Sequence, residues 1–344
     1  MNRIFSIELL RVVCAVTVVI DHIAIAAIGM YKSTASDVDR FVYYGIQHWS
    51  HFAVPVFLMI SGFLLLNPQK EIEYGKAITK YTKRMVVVLL TVGTFFAFLE
   101  VLFESHQINF HSVGRALLYV FEGKGWQHMW YLYMIIGIYL VLPILKAAYN
   151  GISRKTLSTF LVLMFLFTSV IPMISLYTGI NCGIKFPIMS IFLFYFILGR
   201  WVFETGSKHF INPTVLYVIT IVLMFTPVWV SYLEHIKGFH LLVKLTGYDS
   251  PLIVVISVFI VFSVMNMGGV KGRRLAQFVE HLGNNSFGIY VFHMLWINLI
   301  YKFFHYNPIE HNVFFFILLI LLVVVLSDIT TMMFKKLPFI GSSI

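Results

Sequence analysis

Four ionisable residues inside the first apolar stretch pose the chemical question. The stretch IFSIELLRVVCAVTVVIDHIAIAAIG opens at Ile4 and carries Glu8, Arg11, Asp21 and His22, although it otherwise reads as a membrane span. A charge near the bilayer centre costs roughly 2.5–3.5 kcal/mol on insertion scales, so such residues are candidates for function. Arg11 and His22 are eleven residues apart. At about 100° per residue both fall on one helix face, and at about 1.5 Å rise they lie roughly 16 Å apart, half the hydrocarbon core. A guanidinium can hold phosphate, and an imidazole can take a proton from a hydroxyl near neutral pH. Between them Cys14, Ala15 and Val18 are small or modest, which leaves room for a ligand or a neighbouring helix. Asp21 points about 100° away from His22 and is not its obvious orienting partner. A lone buried histidine more often just bonds a carbonyl; the face shared with Arg11 argues for function. Glu8 and Arg11, one turn apart, can neutralise each other.

Other groups of residues could complete a site. In KAITKYTKRMVVV, Lys76, Lys80, Lys83 and Arg84 recur at spacings that suit a polyphosphate, although the residues alone favour a topogenic loop that binds lipid headgroups. HWSHFAVPVFLMISGFLLL contains Pro55, which breaks backbone pairing, and Ser61–Gly62, a small pair fit for close helix approach or a bend. His48 and His51 share a face there, but no third ligand is near and no metal site is expected. HMWYLYMIIGIYLVLPIL opens with His128, Trp130, Tyr131 and Tyr133, which form either an interfacial belt or an aromatic mouth that stacks on a sugar. In GNNSFGIYVFHMLW, Ser286 and His293 are seven apart on one face, and His293 is the second intramembrane histidine.

The elements that must position these residues are membrane helices. The 344-residue chain is 59% hydrophobic and only 12% charged, with a mean hydropathy of +0.87. A soluble domain carries about 25% charged residues. Ten apolar segments of near-spanning length fall at 4–28, 46–67, 85–104, 128–147, 157–177, 187–203, 212–233, 250–268, 286–303 and 313–334. The expected fold is all-α, a single membrane domain over 1–344 with about ten helices. Lysine and arginine favour the inner segments about two to one when both termini are placed in the cytoplasm. That orientation puts Arg11 near the cytoplasmic leaflet and His22 in the outer half. The net charge of +10 is then a topological signal, and no nucleic-acid partner is expected. The first span is expected to be retained, not cleaved as a signal peptide. Cys14 and Cys182 have no metal-site spacing and are not expected to pair. No Walker A run, Rossmann glycine pattern, HExxH or G-x-S-x-G elbow is present, so nucleotide hydrolysis, dehydrogenation, zinc proteolysis and ordinary serine-hydrolase chemistry have no support.

Taken together, these parts resemble acyltransferase family three, the integral membrane O-acyltransferases, especially the smaller bacterial O-acetyltransferases. The resemblance runs over essentially the whole length. It is carried by the Arg11-to-His22 pair, VPVFLMISGFLL, the basic run before the third span, MWYLYMIIGIYLVLPIL, FILGR and SFGIYVFH. It implies a ten-helix enzyme of the bacterial cytoplasmic membrane that moves an acyl group, commonly acetyl, from cytoplasmic acyl-CoA to a hydroxyl of a cell-surface glycan or its precursor. His22 matches the family's essential histidine and Arg11 its arginine. The family often carries two arginines separated by two residues in its first basic loop; here that stretch reads Lys80, Tyr81, Thr82, Lys83, Arg84. The resemblance thus assigns donor-phosphate binding to Lys80, Lys83 and Arg84. Trp130, Tyr131, Ser61 and His293 are the candidates for the acceptor side and the pocket. Acetyl-CoA is a co-substrate, no permanently bound cofactor is expected, and lipid surrounds the chain. The soluble esterase-like extension of larger members is not seen. The competing readings are a carrier of a glycan or small polar solute, whose path the intramembrane polar residues would line, and a scaffold subunit of a polysaccharide synthase.

Overall fold

In hydrocarbon every backbone N–H and C=O must be paired within its own segment, so an apolar chain of this kind folds as helices. The computed structural model describes residues 3–31, 33–105, 110–184, 190–205, 212–238, 244–267, 272–338 and 340–344, and among them there are helices and no strand. In chain order these are α1 (Arg3–Tyr31), α2 (Asp37–Ser50), α3 (Ala53–Leu65), α4 (Tyr74–Phe103), α5 (Phe110–Glu122), α6 (Gln127–Gly151) and α7 (Arg154–Thr178). They continue with α8 (Ile191–Thr205), α9 (Pro213–His235), α10 (Pro251–Asn266), α11 (Arg273–Asn298) and α12 (Val313–Phe334).

Among the described residues, eight helices are long and apolar enough to cross a membrane. The other two expected spans fall on α8 and α11. The described part of α8 is 15 residues long. The opening of its expected span, 187–189, lies outside the described residues, as do Lys185, Lys208 and Lys271 of the charge bias. The helix α11 is long, but its first half holds Arg273, Arg274, Glu280 and His281. The second expected span is two helices, α2 and α3. The chain breaks at 51–52, so Pro55 sits in the first turn of α3, where a missing N–H leaves no bond unmade. The start of α2 is fixed by Ser36 and Asp39, each capping the other's backbone N–H.

The axis of the molecule is α1, which packs against α2, α3 and α11; α11 in turn packs on α12, α3 on α8 and α2 on α9. Its second half buries Val19, Ile23, Ala24 and Ala27 against Ile289, Ile297 and Val323. Close helix approach at Ser61–Gly62 is observed. A Cβ on Gly62 would stand 1.7 Å from the Phe196 carbonyl oxygen of α8, and one on Gly199 would stand 2.1 Å from that of Met59. Both glycines lie at one crossing, where the absence of side chains lets the two backbones meet. The C-terminal carbonyls of α3, which have no partner within the helix, are taken up by cations: Arg200 Nη1 donates to Phe63 O at 3.1 Å and Lys146 Nζ to Leu65 O at 3.4 Å. Large apolar side chains such as Phe314, Leu321 and Met333 remain exposed along α12, as lipid contact requires.

Candidate active site

One face of α1 carries a line of three positions: Arg11, Val18 and His22. Arg11 Nη1 donates to Glu8 Oε1 at 2.7 Å. The Glu8 side chain is itself pinned under α11, where a Cβ on Gly283 would lie 2.3 Å from Glu8 Oε2 and 3.1 Å from its Cα. Beside Arg11 opens a cavity of about 300 Å³. Arg11, Arg84 and Asn284 line it, together with Ser61, Tyr131, Tyr139, Ser286 and Tyr290. Val18 also lines it, one helical turn before His22.

The ring of His22 is held by its own helix. Its Nδ1 bonds Val18 O at 2.9 Å. A carbonyl only accepts, so Nδ1 carries the proton and, in the neutral ring, Nε2 is the acceptor. Asp21 is not the orienting partner: its Oδ1 accepts from Ser50 Oγ at 2.7 Å and its Oδ2 lies 3.9 Å from His22 Nδ1. The side chain of His22 keeps 19% exposure, and the ring lies one turn beyond the cavity lining at Val18. Tyr131 and Tyr290, with ring centres 5.5 Å apart, form the inner lining of the cavity. The Tyr290 ring also lies 5.9 Å from His128 and 6.0 Å from His293. The Tyr290 hydroxyl donates to the His128 carbonyl.

The structure brings some of the expected residues together and separates others. Arg11, Arg84, Ser61 and Tyr131 line one cavity, and Tyr131 is hydrogen-bonded to Ser61. His293 stands next to His22, ring centres 4.8 Å apart. Lys80 and Lys83 are exposed on α4 and do not line the cavity. Lys80 lies within a π-helical turn at Ala77–Thr82 and Lys83 directly after it, and the turn changes the helical register between Lys76 and Arg84. The guanidinium of Arg84 turns inward: its Nε and Nη2 donate to the carbonyls of Ser343 and Ile344, each at 2.9 Å, and it covers the Phe287 ring at 5.1 Å. Trp130 lies outside the cavity, packed on Phe192 and Tyr248 at 5.3 and 5.8 Å. His51 Nδ1 bonds Thr246 O at 2.5 Å. Among the described residues no group of three His, Cys, Asp or Glu is arranged to hold a metal ion.

Sequence reasoning missed the first half of α11. Gly283 and Asn284 line the cavity together with Ser286 and Phe287. Behind them Asn285 Nδ2 donates to Asp328 Oδ1 at 2.6 Å, and Asp328 Oδ2 pairs with His281 Nε2 at 2.9 Å. Lys335 Nζ reaches Asn285 Oδ1 at 2.5 Å and Asn284 O at 3.1 Å. Partial burial, and then the Arg84 guanidinium, hold the Lys335 ammonium below its usual value, while Asp328 opposes the shift. The available signal was the doublet Asn284–Asn285 beside an apolar run. His128 also differs from its expected place at an outer mouth: it is buried in the 3₁₀ turn Gln127–Met129, under Phe96 and Trp126.

One helix face thus bears a guanidinium and an imidazole eleven residues apart, with a cavity that reaches from Arg11 to within one turn of His22. No curated protein and no solved structure matches the chain. The model of the acyltransferase 3 family, described as an acyltransferase domain, matches residues 4–332, nearly the whole length. The chain belongs to this family of membrane acyltransferases.

Proposed function

We propose that this acyltransferase takes an acyl group, acetyl in the simplest case, from acyl-CoA and moves it to a hydroxyl of a cell-surface glycan or glycan precursor. One observation carries the reading. The cavity of about 300 Å³ has Arg11 and Arg84 in its lining and reaches Val18, one turn short of His22. Guanidinium groups bind phosphate by charge-assisted hydrogen bonds, and CoA carries several phosphates. A whole CoA far exceeds the cavity, so the pantetheine arm enters and the nucleotide head stays at the rim. There Arg84 is the first cation it meets, with Lys80 and Lys83 on the adjoining surface.

The thioester then lies against Ser61, Tyr131 and Tyr290. The acceptor hydroxyl gives its proton to His22 Nε2 as its oxygen attacks the thioester carbonyl carbon. A positioned base typically contributes about 10²–10⁴-fold. Trp130 and Tyr248, the latter close to Asp21, offer ring faces against which a sugar can stack. In the membrane this reading places both termini at the cytoplasmic face of a bacterial cytoplasmic membrane, with α8 and α11 completing ten crossings.

The test is transfer of label. Purified chain in bilayers is given radiolabelled acetyl-CoA and an envelope glycan fraction. The expected product is label in alkali-labile ester on the glycan. Solute flux across the bilayer without donor binding would establish a carrier instead.

A further inference from the structure

His22 does not stand alone. Its ring centre is 4.8 Å from that of His293 and 6.3 Å from that of His128, and the latter two are 5.2 Å apart. The three rings come from α1, from the turn that opens α6 and from α11. Each donates one N–H to a backbone carbonyl: His22 Nδ1 to Val18 at 2.9 Å, His128 Nε2 to Val291 at 3.1 Å, and His293 Nδ1 to Tyr290 at 2.6 Å. A neutral imidazole has a single N–H, so each bond uses the ring's only proton. What remains is three acceptors: His22 Nε2, His128 Nδ1 and His293 Nε2. His128 and His293 are buried, at 1% and 0% exposure, and these two nitrogens have no hydrogen-bond partner.

The surrounding groups do not supply the missing donor. The Tyr290 hydroxyl is committed to the His128 carbonyl. Asp21 accepts from Ser50 and lies 3.9 Å from the already protonated Nδ1 of His22. Phe96 and Trp126 present rings to His128, and the Trp126 indole N–H goes to Glu100. Leaving buried acceptors unmatched costs free energy, and one proton entering the cluster supplies a donor to one of them. His22, the exposed member, is where it can enter.

The geometry points to His293 as a positioning residue for His22: its bare Nε2 accepts the N–H that His22 gains when it takes a proton from the acceptor hydroxyl. His293 is preferred to His128 because its ring is nearer. Its separation from His22 is one that a nitrogen–nitrogen hydrogen bond of about 2.9 Å spans with small ring rotations. The imidazolium is then held at both ends, by Val18 O and by His293 Nε2. The origin of the proton rests on the proposed transfer. The hydroxyl O–H breaks as its oxygen bonds the acyl carbon, and the carbon–sulfur bond breaks with its electron pair going to sulfur. The proton held between the two rings then passes to that thiolate.

The pairing is read without any acceptor. Full-length chain carrying ¹⁵N-labelled histidine is placed in lipid bilayers and followed by solid-state NMR as the pH is lowered through the imidazole range. The expected result is that the Nε2 signals of His22 and His293 change together, as one proton shared by two nitrogens. Protonation of His22 while the His293 Nε2 signal stays that of an unbonded nitrogen overturns the inference. A second measurement uses cells whose only copy is His293→Gln, which keeps an acceptor, or His293→Met, which does not. Alkali-labile acyl esters of the envelope are expected to stay near wild type in the first and to fall about tenfold or more in the second, at equal chain levels in the membrane. Equal loss in both variants, or loss in neither, overturns it. If wild-type cells carry no more esters than cells lacking the chain, the proposed transfer fails, and the NMR result still decides the pairing.

Discussion

The Nδ1–H of His22 donates to the carbonyl oxygen of Val18 at 2.9 Å, four residues back on the same helix. This bond settles which nitrogen is basic. It also ties the ring to Val18, which lines the cavity, so the ring's position follows that of the helix and needs no carboxylate.

Replacing this ring should therefore remove chemistry and little else. His22→Ala is expected to lower acyl transfer by about 10²–10⁴-fold. Insertion into the membrane and the thermal melt should stay close to wild type. Full activity in this variant would sink the assignment of His22 as the base.

Arg11 pairs with Glu8 and also lines the cavity, and the ion pair can be separated from the proposed donor contact. Arg11→Met leaves the Glu8 carboxylate buried without its ion pair, and a loss of about 3 kcal/mol or more is expected in the unfolding free energy. Adding Glu8→Leu should restore most of that stability. Donor affinity, measured by equilibrium binding of labelled acetyl-CoA, should remain weakened in the double variant. Recovery of affinity along with stability would make Arg11 a packing residue.

Arg84 faces the cavity, and Lys80 and Lys83 face away from it. Arg84→Ala is expected to weaken acetyl-CoA binding by about 10–100-fold, the worth of a charge-assisted hydrogen bond. Lys80→Ala and Lys83→Ala should each change it by no more than about fivefold, as exposed charges do. Arg84→Lys should fall between, because it keeps the charge and loses the planar fork. Equal effects at all three positions would return the phosphate site to the surface of α4.

The crossing of α3 and α8 makes a stability prediction that is independent of function. Gly62→Ala drives a methyl into the Phe196 carbonyl oxygen, whereas at Gly137 on α6 a Cβ meets nothing within 4 Å. The first substitution is expected to cost about 1–3 kcal/mol or more. The second should be neutral or stabilising by up to about 1 kcal/mol. Thermal melts of the two variants in the same detergent give the comparison.

Much of this arrangement is legible in the sequence because helices in lipid are regular. Arg11 and His22 could be placed on one face from spacing alone, and Ser61–Gly62 announced a close crossing. The parts that were not legible have two physical causes. A hydropathy scan sees only the apolar half of a helix, so α11 was read from residue 286, yet the helix begins at Arg273 and Gly283 and Asn284 line the cavity. A polar half-helix that faces a cavity looks like a loop to such a scan. Aromatic-rich helix starts are ambiguous in another way. His128 looked like part of a rim, but Phe96 of α4 and Trp126 bury it. Only the tertiary fold could bring its ring to His293 and His22, across 165 and 106 residues of chain.

The two tyrosine rings at the inner lining of the cavity have a consequence for the membrane itself. Tyr131 and Tyr290 line the cavity with ring centres 5.5 Å apart, and the Tyr290 ring also touches those of His128 and His293. A passage wide enough for hydrated ions at this point would short-circuit the electrical potential across the bilayer, at roughly 2.3 kcal/mol for each charge per 100 mV. An acyl group needs no water shell and carries no charge. Aromatic rings at this point leave no such passage, so the membrane stays insulating beside the cavity.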